Sequence, residues 1–292
     1  MYSFKEKYSE YLSLFEKRLD EFFARLKCKP QVLDDSLKYT LESGGKRIRA
    51  VLTLAVADML GVKTEDVADL ALAIELIHAY SLIHDDLPEM DNDDFRRGRP
   101  SNHMVFGVGN ALLAGDGLLN TAYAVLFEKC KEDKLYVDAA AFICGCAGVH
   151  GMIAGQSADL MCAEKGIKDE EMLDFIVSNK TGKLISAAAA SPAVIAGGKY
   201  LLELRQLGED LGKLFQLTDD VLDEEGSLAT LGKSAGKDRS ENKLTYVTFY
   251  GIDQCRVYAD IICSKCLGIL EGIEGETAFL GDLVNHVRYR EG

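Results

Sequence analysis

Residues Val67–Asp94, VADLALAIELIHAYSLIHDDLPEMDNDD, decide the fold and the chemistry of this chain together. As far as His84 the stretch is nearly all apolar at helical spacing, so it predicts a central helix buried on all sides rather than a surface helix with one apolar stripe. Immediately after it, Asp85-Asp86-Leu87-Pro88-Glu89-Met90-Asp91-Asn92-Asp93-Asp94 holds six acids in ten residues, and no base follows until Arg96. Carboxylates crowded at the end of a buried helix are costly unless cations neutralise them. Hard divalent cations with oxygen ligands would do so. Asp85 and Asp91 are six apart and cannot share a face of a straight helix, but Pro88 interrupts the helix and lets the chain bulge back.

Outward from this segment the helical pattern continues. Tyr8, Leu12, Phe15, Leu19, Phe22, Phe23 and Leu26 form one apolar face, and Leu52–Leu60 continues in the same style. Further helices are predicted over Ala111–Cys130, Val137–Asp159, Glu170–Ile195, Leu201–Asp223, Gln254–Gly272 and Thr277–Arg288. No series of alternating strands appears, and only four prolines occur in 292 residues. An all-α fold is expected, as one domain over residues 1–292. The longest polar interruption, Gly226–Lys243, reads as a mobile loop over a site rather than a domain linker, because helical pattern follows it.

A second acid cluster sits in Phe215-Gln-Leu-Thr-Asp-Asp-Val-Leu-Asp223. Asp219 and Asp223 are four apart and share a helix face, with Asp220 beside them. Either cluster alone could be a solvated helix end. Two clusters, each ending an apolar helix, would face each other across a cavity and hold several Mg²⁺ ions gripping a polyphosphate. Bases lie at nearby breaks: Lys46, Arg47 and Arg49 after Gly44-Gly45, then Arg96, Arg97 and Arg99, Lys180 and Lys183, and Lys233, Lys237 and Lys243. Such groups suit an anion. His78 stands seven before Asp85, on the same helix face; a satisfied core histidine and a ligand contact are equal alternatives for it.

Composition narrows the field. There are 33 basic and 47 acidic side chains, a net charge of −14, which argues against a nucleic-acid binder. The N-terminal residues carry no signal-peptide pattern, and no uninterrupted apolar run of eighteen residues suggests a membrane span. The eight cysteines are scattered within helical patterns, and Cys263–Cys266 is a lone CxxC without zinc-site spacing. Buried thiols in a reducing, cytoplasmic setting are expected. Gly44-Gly45-Lys46 lacks P-loop spacing, and Gly107–Gly109 follows no strand, so neither nucleotide-binding motif applies.

GGKRIR, ELIHAYSLIHDDLPEMDNDDFRRGRPSNH, GQSADL, NKTGKL, FQLTDDVLD and LGKSAGKDRSENKLTY, in this order, resemble the short-chain trans-prenyl diphosphate synthases of the bacterial farnesyl diphosphate synthase (geranyltranstransferase) type. The resemblance implies an isoprenoid-synthase helical bundle around a deep central cavity, in a homodimer. It implies three Mg²⁺ surrounded by Asp85, Asp86, Asp91, Asp219, Asp220 and Asp223, with an allylic diphosphate also held by Arg96, Lys180 and Lys233. It implies isopentenyl diphosphate on Lys46, Arg49, His78 and Arg97, with Thr181, Gln216 and carbonyls near Lys180 facing the developing allylic cation. One departure is Ala50, where many members have Pro; a slight change of helix entry is expected.

Tyr80 and Ser81, roughly 6–7.5 Å before Asp85 along the helix axis, lie where a growing chain would run. An aromatic ring at Tyr80 resembles the floor of enzymes making a fifteen-carbon product, so farnesyl diphosphate is expected, with geranylgeranyl diphosphate as the alternative if residues such as Ala111–Leu119 set the depth. A terpene cyclase would carry a different second metal motif, and a non-catalytic synthase subunit would have lost acids from one cluster.

Overall fold

The structure, a computed structural model, describes residues 3–226 and 243–290. Helix α4 (Thr64–Asp85) is its axis. Leu70, Leu72, Ile74, Leu76, Ile77 and Ile83 are fully buried, each contributing about 1.5–3 kcal/mol relative to exposure. Around α4 stand α3 (Ile48–Met59), α6 (Val108–Glu132) and α10 (Lys183–Ile195), with α1 (Phe4–Arg25) on the outside. Helix α2 (Gln31–Glu42) and the short α5 (Asn102–Phe106) pack on α6. Helix α11 (Leu201–Glu225) lies against α10 and is covered by α12 (Tyr246–Tyr250), α13 (Ile252–Glu271) and α14 (Ala278–Tyr289). The buried apolar residues form one connected core.

Three local features differ from the sequence expectation. The segment read as one helix from Val137 to Asp159 is two, α7 (Tyr136–Ala147) and α8 (Met152–Lys165). The chain folds so tightly between them that a Cβ on Gly151 would lie 2.0 Å from the Cys146 carbonyl oxygen. Glu170–Ile195 is interrupted: α9 (Glu170–Ile176) runs through a π-helical turn, Val177–Gly182, into α10. A π-turn inserts a residue without breaking the helical run, which hides it from a periodicity argument. Lastly, Phe95–Arg96 pairs antiparallel with Arg99–Pro100 in a two-residue hairpin.

Two helical stretches, Thr64–Asp85 and Tyr136–Lys165, are long and apolar enough by composition to cross a bilayer. The first spends its apolarity in the core, and the second is broken between α7 and α8.

Close approach of α11 positions the second acid cluster. Gly208 and Gly212 are one turn apart, and a Cβ on them would lie 2.4 Å from Ser186 Cα and 2.5 Å from Gly182 Cα, respectively. These obstructing atoms are backbone and cannot swing aside. Gly208→Ala is therefore expected to destabilise the fold by about 1–3 kcal/mol. Gly268→Ala, on the exposed side of α13 with open space around it, should stabilise by about 0.5–1 kcal/mol. Denaturant unfolding of the two variants checks this; equal effects would contradict the packing described.

Candidate active site

A cavity of about 860 Å³ opens where the C-terminal ends of α4 and α11 meet. Its walls carry Asp85, Asp91, Asp219, Asp220 and Asp223, together with Lys46, Arg49, His78, Arg96, Lys180, Thr181, Gln216, Tyr80 and Ser81. The sequence motifs, spread over nearly two hundred residues, thus converge on one space. Both acid clusters sit at helix C-terminal ends, where the backbone itself presents roughly half a negative charge. Neither placement serves helix stability.

The first cluster folds back on itself after Pro88. Asp91 N–H donates to the Asp85 carbonyl at 2.8 Å, and Asp93 N–H to the Asp86 carbonyl at 3.2 Å. Two carboxylates six residues apart are thereby brought to one wall. Burial raises the Asp85 pKa, and the neighbouring Asp91 and Asp86 push the same way against Lys180. Burial also acts to raise Asp91, but Lys180 and Lys243 outweigh it and hold that carboxyl low. Lys243 Nζ is 2.9 Å from Asp91 Oδ2.

Asp86, expected among the metal ligands, is held by Arg96. It is 2% exposed and is not part of the cavity wall. Arg96 Nε donates to its two oxygens at 2.9 and 3.2 Å, with a further bond from Arg96 Nη2. Asp86 therefore fixes Arg96, which does reach the wall. Arg97 likewise lies off the wall and donates to the Gly44 carbonyl. A Cβ on Gly45 would lie 2.8 Å from the Arg97 guanidinium carbon and displace it, and the backbone there has φ +134°, which strains any side chain. Arg97 braces the turn that presents Lys46. Lys233 lies outside the described residues.

On α11, Asp220 is buried, accepting from Tyr246 N–H at 2.7 Å and from Gln216 Nε2 at 2.8 Å. Gln216 in turn accepts from Thr181 Oγ1 at 3.1 Å. Thr181 and Lys180 belong to the π-turn, a feature that recurs at functional sites. Asp219 Oδ1 is 2.6 Å from Arg290 Nη2, whose guanidinium lies 3.9 Å over the Phe215 ring. Arg290 was not singled out by any sequence motif. It follows the last helix two residues after Arg288, and the packing of α14 against α11 brings it to the cavity.

Across from these acids lies a basic patch. Arg49 is buried with its Nε unpartnered. Burial lowers its pKa, and so does nearby Arg97, while Glu75 opposes them. Burial also depresses the His78 pKa well below normal, reinforced by Arg49, Arg97, Arg96 and Arg47, so the ring is neutral at physiological pH. Glu75, 2% exposed inside α4, anchors this patch: Arg47 Nη1 is 3.9 Å away, and Ala50 N–H donates to Glu75 Oε1 at 3.2 Å. Proline at position 50 could not make that bond, so Ala50 adds a hydrogen bond to the patch beyond the expected change in helix entry.

No three His, Cys, Asp or Glu side chains among the described residues converge on one point. The carboxylates are instead spread over two facing walls. Magnesium is commonly bound by one or two carboxylates together with substrate phosphates, so the donor set suits ions shared with a diphosphate rather than a closed protein cage.

Comparison with known proteins agrees with this architecture. The polyprenyl synthetase family model matches residues 30–269. A farnesyl diphosphate synthase of Geobacillus stearothermophilus is 42% identical over 236 residues, covering 79% of this chain and 79% of that protein. A chloroplastic geranylgeranyl pyrophosphate synthase of Capsicum annuum is 36% identical over 295 residues, covering 99% of this chain and 79% of that one. The crystal structure of a geranyltransferase from Helicobacter pylori, complexed with magnesium and isoprenyl diphosphate, superimposes with a TM-score of 0.83 at 28% identity, over 98% of this chain and 97% of that one. The chain belongs to the polyprenyl synthetase family and is a trans-prenyl diphosphate synthase.

Proposed function

We propose that this prenyltransferase makes farnesyl diphosphate by condensing isopentenyl diphosphate first with dimethylallyl diphosphate and then with geranyl diphosphate. The observation that carries the product length is Tyr80. Its side chain is 6% exposed, lies on the cavity wall and meets the His84 ring edge-on with centroids 5.7 Å apart. It stands on the helix that bears Asp85, five residues before it and on the same cavity wall. A growing chain running from the acids past Ser81 meets that ring. Geranylgeranyl diphosphate is the second reading, favoured by relatives named for each product at similar identity and by Leu119 of α6 on the same wall.

Three Mg²⁺ would be held by Asp85 and Asp91 on one wall and by Asp219, Asp220 and Asp223 on the other, and magnesium supplies positive charge to the leaving diphosphate. The protein contributes the rest. Arg96, fixed by Asp86, and Lys180 hold the allylic diphosphate, with Lys233 assigned to the same task. Lys46, Arg49 and neutral His78 bind the non-allylic diphosphate, with Arg97 behind their turn. The allylic carbon–oxygen bond breaks as charge on the diphosphate is stabilised. The double bond of isopentenyl diphosphate attacks the allylic carbon, and the proton lost from the product passes to an oxygen of the released diphosphate. Thr181 Oγ1 and the Gln216 carbonyl oxygen lie beside the cation. Leu119, Met152 and Phe215 keep water from quenching it.

The homodimer belongs to the same proposal. The outward face of α6 carries Leu112, Leu113, Ala124 and Phe127, and that of α7 carries Val137 and Ala141, with Val149 exposed in the turn that follows. Such an apolar surface suits a second copy of the chain.

Tyr80→Ala, assayed with both substrates in excess, should lengthen the main product to twenty carbons or more. An unchanged profile from an active variant would place the floor elsewhere. Arg49→Ala should raise KM for isopentenyl diphosphate by about tenfold or more, with a smaller effect on the allylic substrate, whereas Arg96→Ala should do the reverse. Melting temperatures of both variants separate binding from folding, because Arg96→Ala also leaves Asp86 buried without its guanidinium. Opposite KM preferences would overturn the assignment of the two sites.

A further inference from the structure

The segment Gly155-Gln-Ser-Ala-Asp-Leu160 is given no role above, yet Gln156, Ser157 and Leu160 line the cavity and Asp159 lies behind its wall. Helix α8 lies so close to the π-turn that a Cβ on Gly155 would fall 2.1 Å from Lys180 N and 2.8 Å from Asn179 C. One turn further on, Asp159 is 8% exposed, and its Oδ2 lies 2.6 Å from Lys180 Nζ. The backbone contact at Gly155 thus sets the distance at which the Asp159 carboxylate meets the ammonium.

We propose that Asp159 is a positioning residue of the allylic diphosphate site, holding the Lys180 ammonium at the cavity wall while the metal-side carboxylates change partners. The inference rests on the function proposed above. Lys180 also feels Asp85 and Asp91, and the three acids together overcome the burial that would otherwise lower its pKa. In the loaded site Asp85 and Asp91 turn to magnesium, and Asp159, which is not among the assigned ligands, remains with Lys180. A lysine is a point charge on a flexible four-carbon stem, and holding it costs side-chain entropy. A fixed counter-charge in the second layer meets that cost before substrate arrives. Asp159 touches no substrate in this account; it acts through Lys180.

The test is Asp159→Asn, which keeps shape and removes charge, together with Asp159→Glu, Lys180→Gln and the Asp159→Asn/Lys180→Gln double variant. Each is measured for KM of both substrates, kcat, melting temperature and calorimetric affinity for a non-reactive thio analogue of dimethylallyl diphosphate. Asp159→Asn should weaken the analogue and raise the allylic KM about tenfold, with KM for isopentenyl diphosphate changed less than about twofold. Asp159→Glu should recover part of the loss. The double variant should bind the analogue no worse than Lys180→Gln alone, because the two residues act as a unit. The proposal is overturned if Asp159→Asn lowers the melting temperature while leaving analogue affinity unchanged, or if both KM values rise alike. It is also overturned if the double variant loses the sum of the two single losses. Should Asp159→Asn not fold, the comparison of the double variant with Lys180→Gln decides by the same criterion. An inactive wild-type enzyme would instead defeat the proposed function, which keeps the two failures distinct.

Discussion

Mutual repulsion among carboxylates at the ends of two helices is the constraint around which this protein is arranged. Asp85 ends α4, Asp91 folds back beside it, and Asp219, Asp220 and Asp223 lie in the final turns of α11. Backbone dipoles add to the negative charge at both places. Among the described residues four nearby cations are drawn into the arrangement: Arg96 on Asp86, Lys243 on Asp91, Lys180 on Asp159 and Arg290 on Asp219. The packing serves the same end. Burial of α4 on all sides fixes one wall, and the glycines of α11 let the other wall approach.

The basic side of the cavity is built on a complementary principle. Glu75 is buried beneath Arg47 and Arg49 and caps the first turn of α3 through Ala50 N–H. It prevents the guanidinium groups from being wholly uncompensated without occupying the anion's place. His78 remains neutral because burial, reinforced by the arginines around it, opposes a further positive charge. The two sides can therefore hold two diphosphates with different balances of metal and side-chain charge.

Much of this was legible in the sequence because the decisive signals are local. Six acids after a nearly all-apolar run, with Pro88 among them, already implied the fold-back that joins Asp91 N–H to the Asp85 carbonyl. Helical periodicity located the long helices to within a few residues. It could not detect the π-turn at Val177–Gly182, since an inserted residue barely disturbs the apolar pattern. Nor could it separate Asp86 from Asp85: adjacent residues look equivalent in a motif, whereas the helix end turns one to the cavity and the other to Arg96. Arg290 was illegible for a different reason. Its role depends on contact with α11 across 71 residues of chain, and no local spacing encodes that contact.

The central claim is that the two acid walls act together, through divalent cations shared with one diphosphate. Its most direct test is an anomalous-scattering map from crystals of the protein grown with Mn²⁺ and a non-reactive thio analogue of dimethylallyl diphosphate. The account predicts manganese peaks against both Asp85/Asp91 and Asp219/Asp223, with the analogue's diphosphate between them. Manganese on only one wall, or the analogue bound with no metal on either, would contradict it.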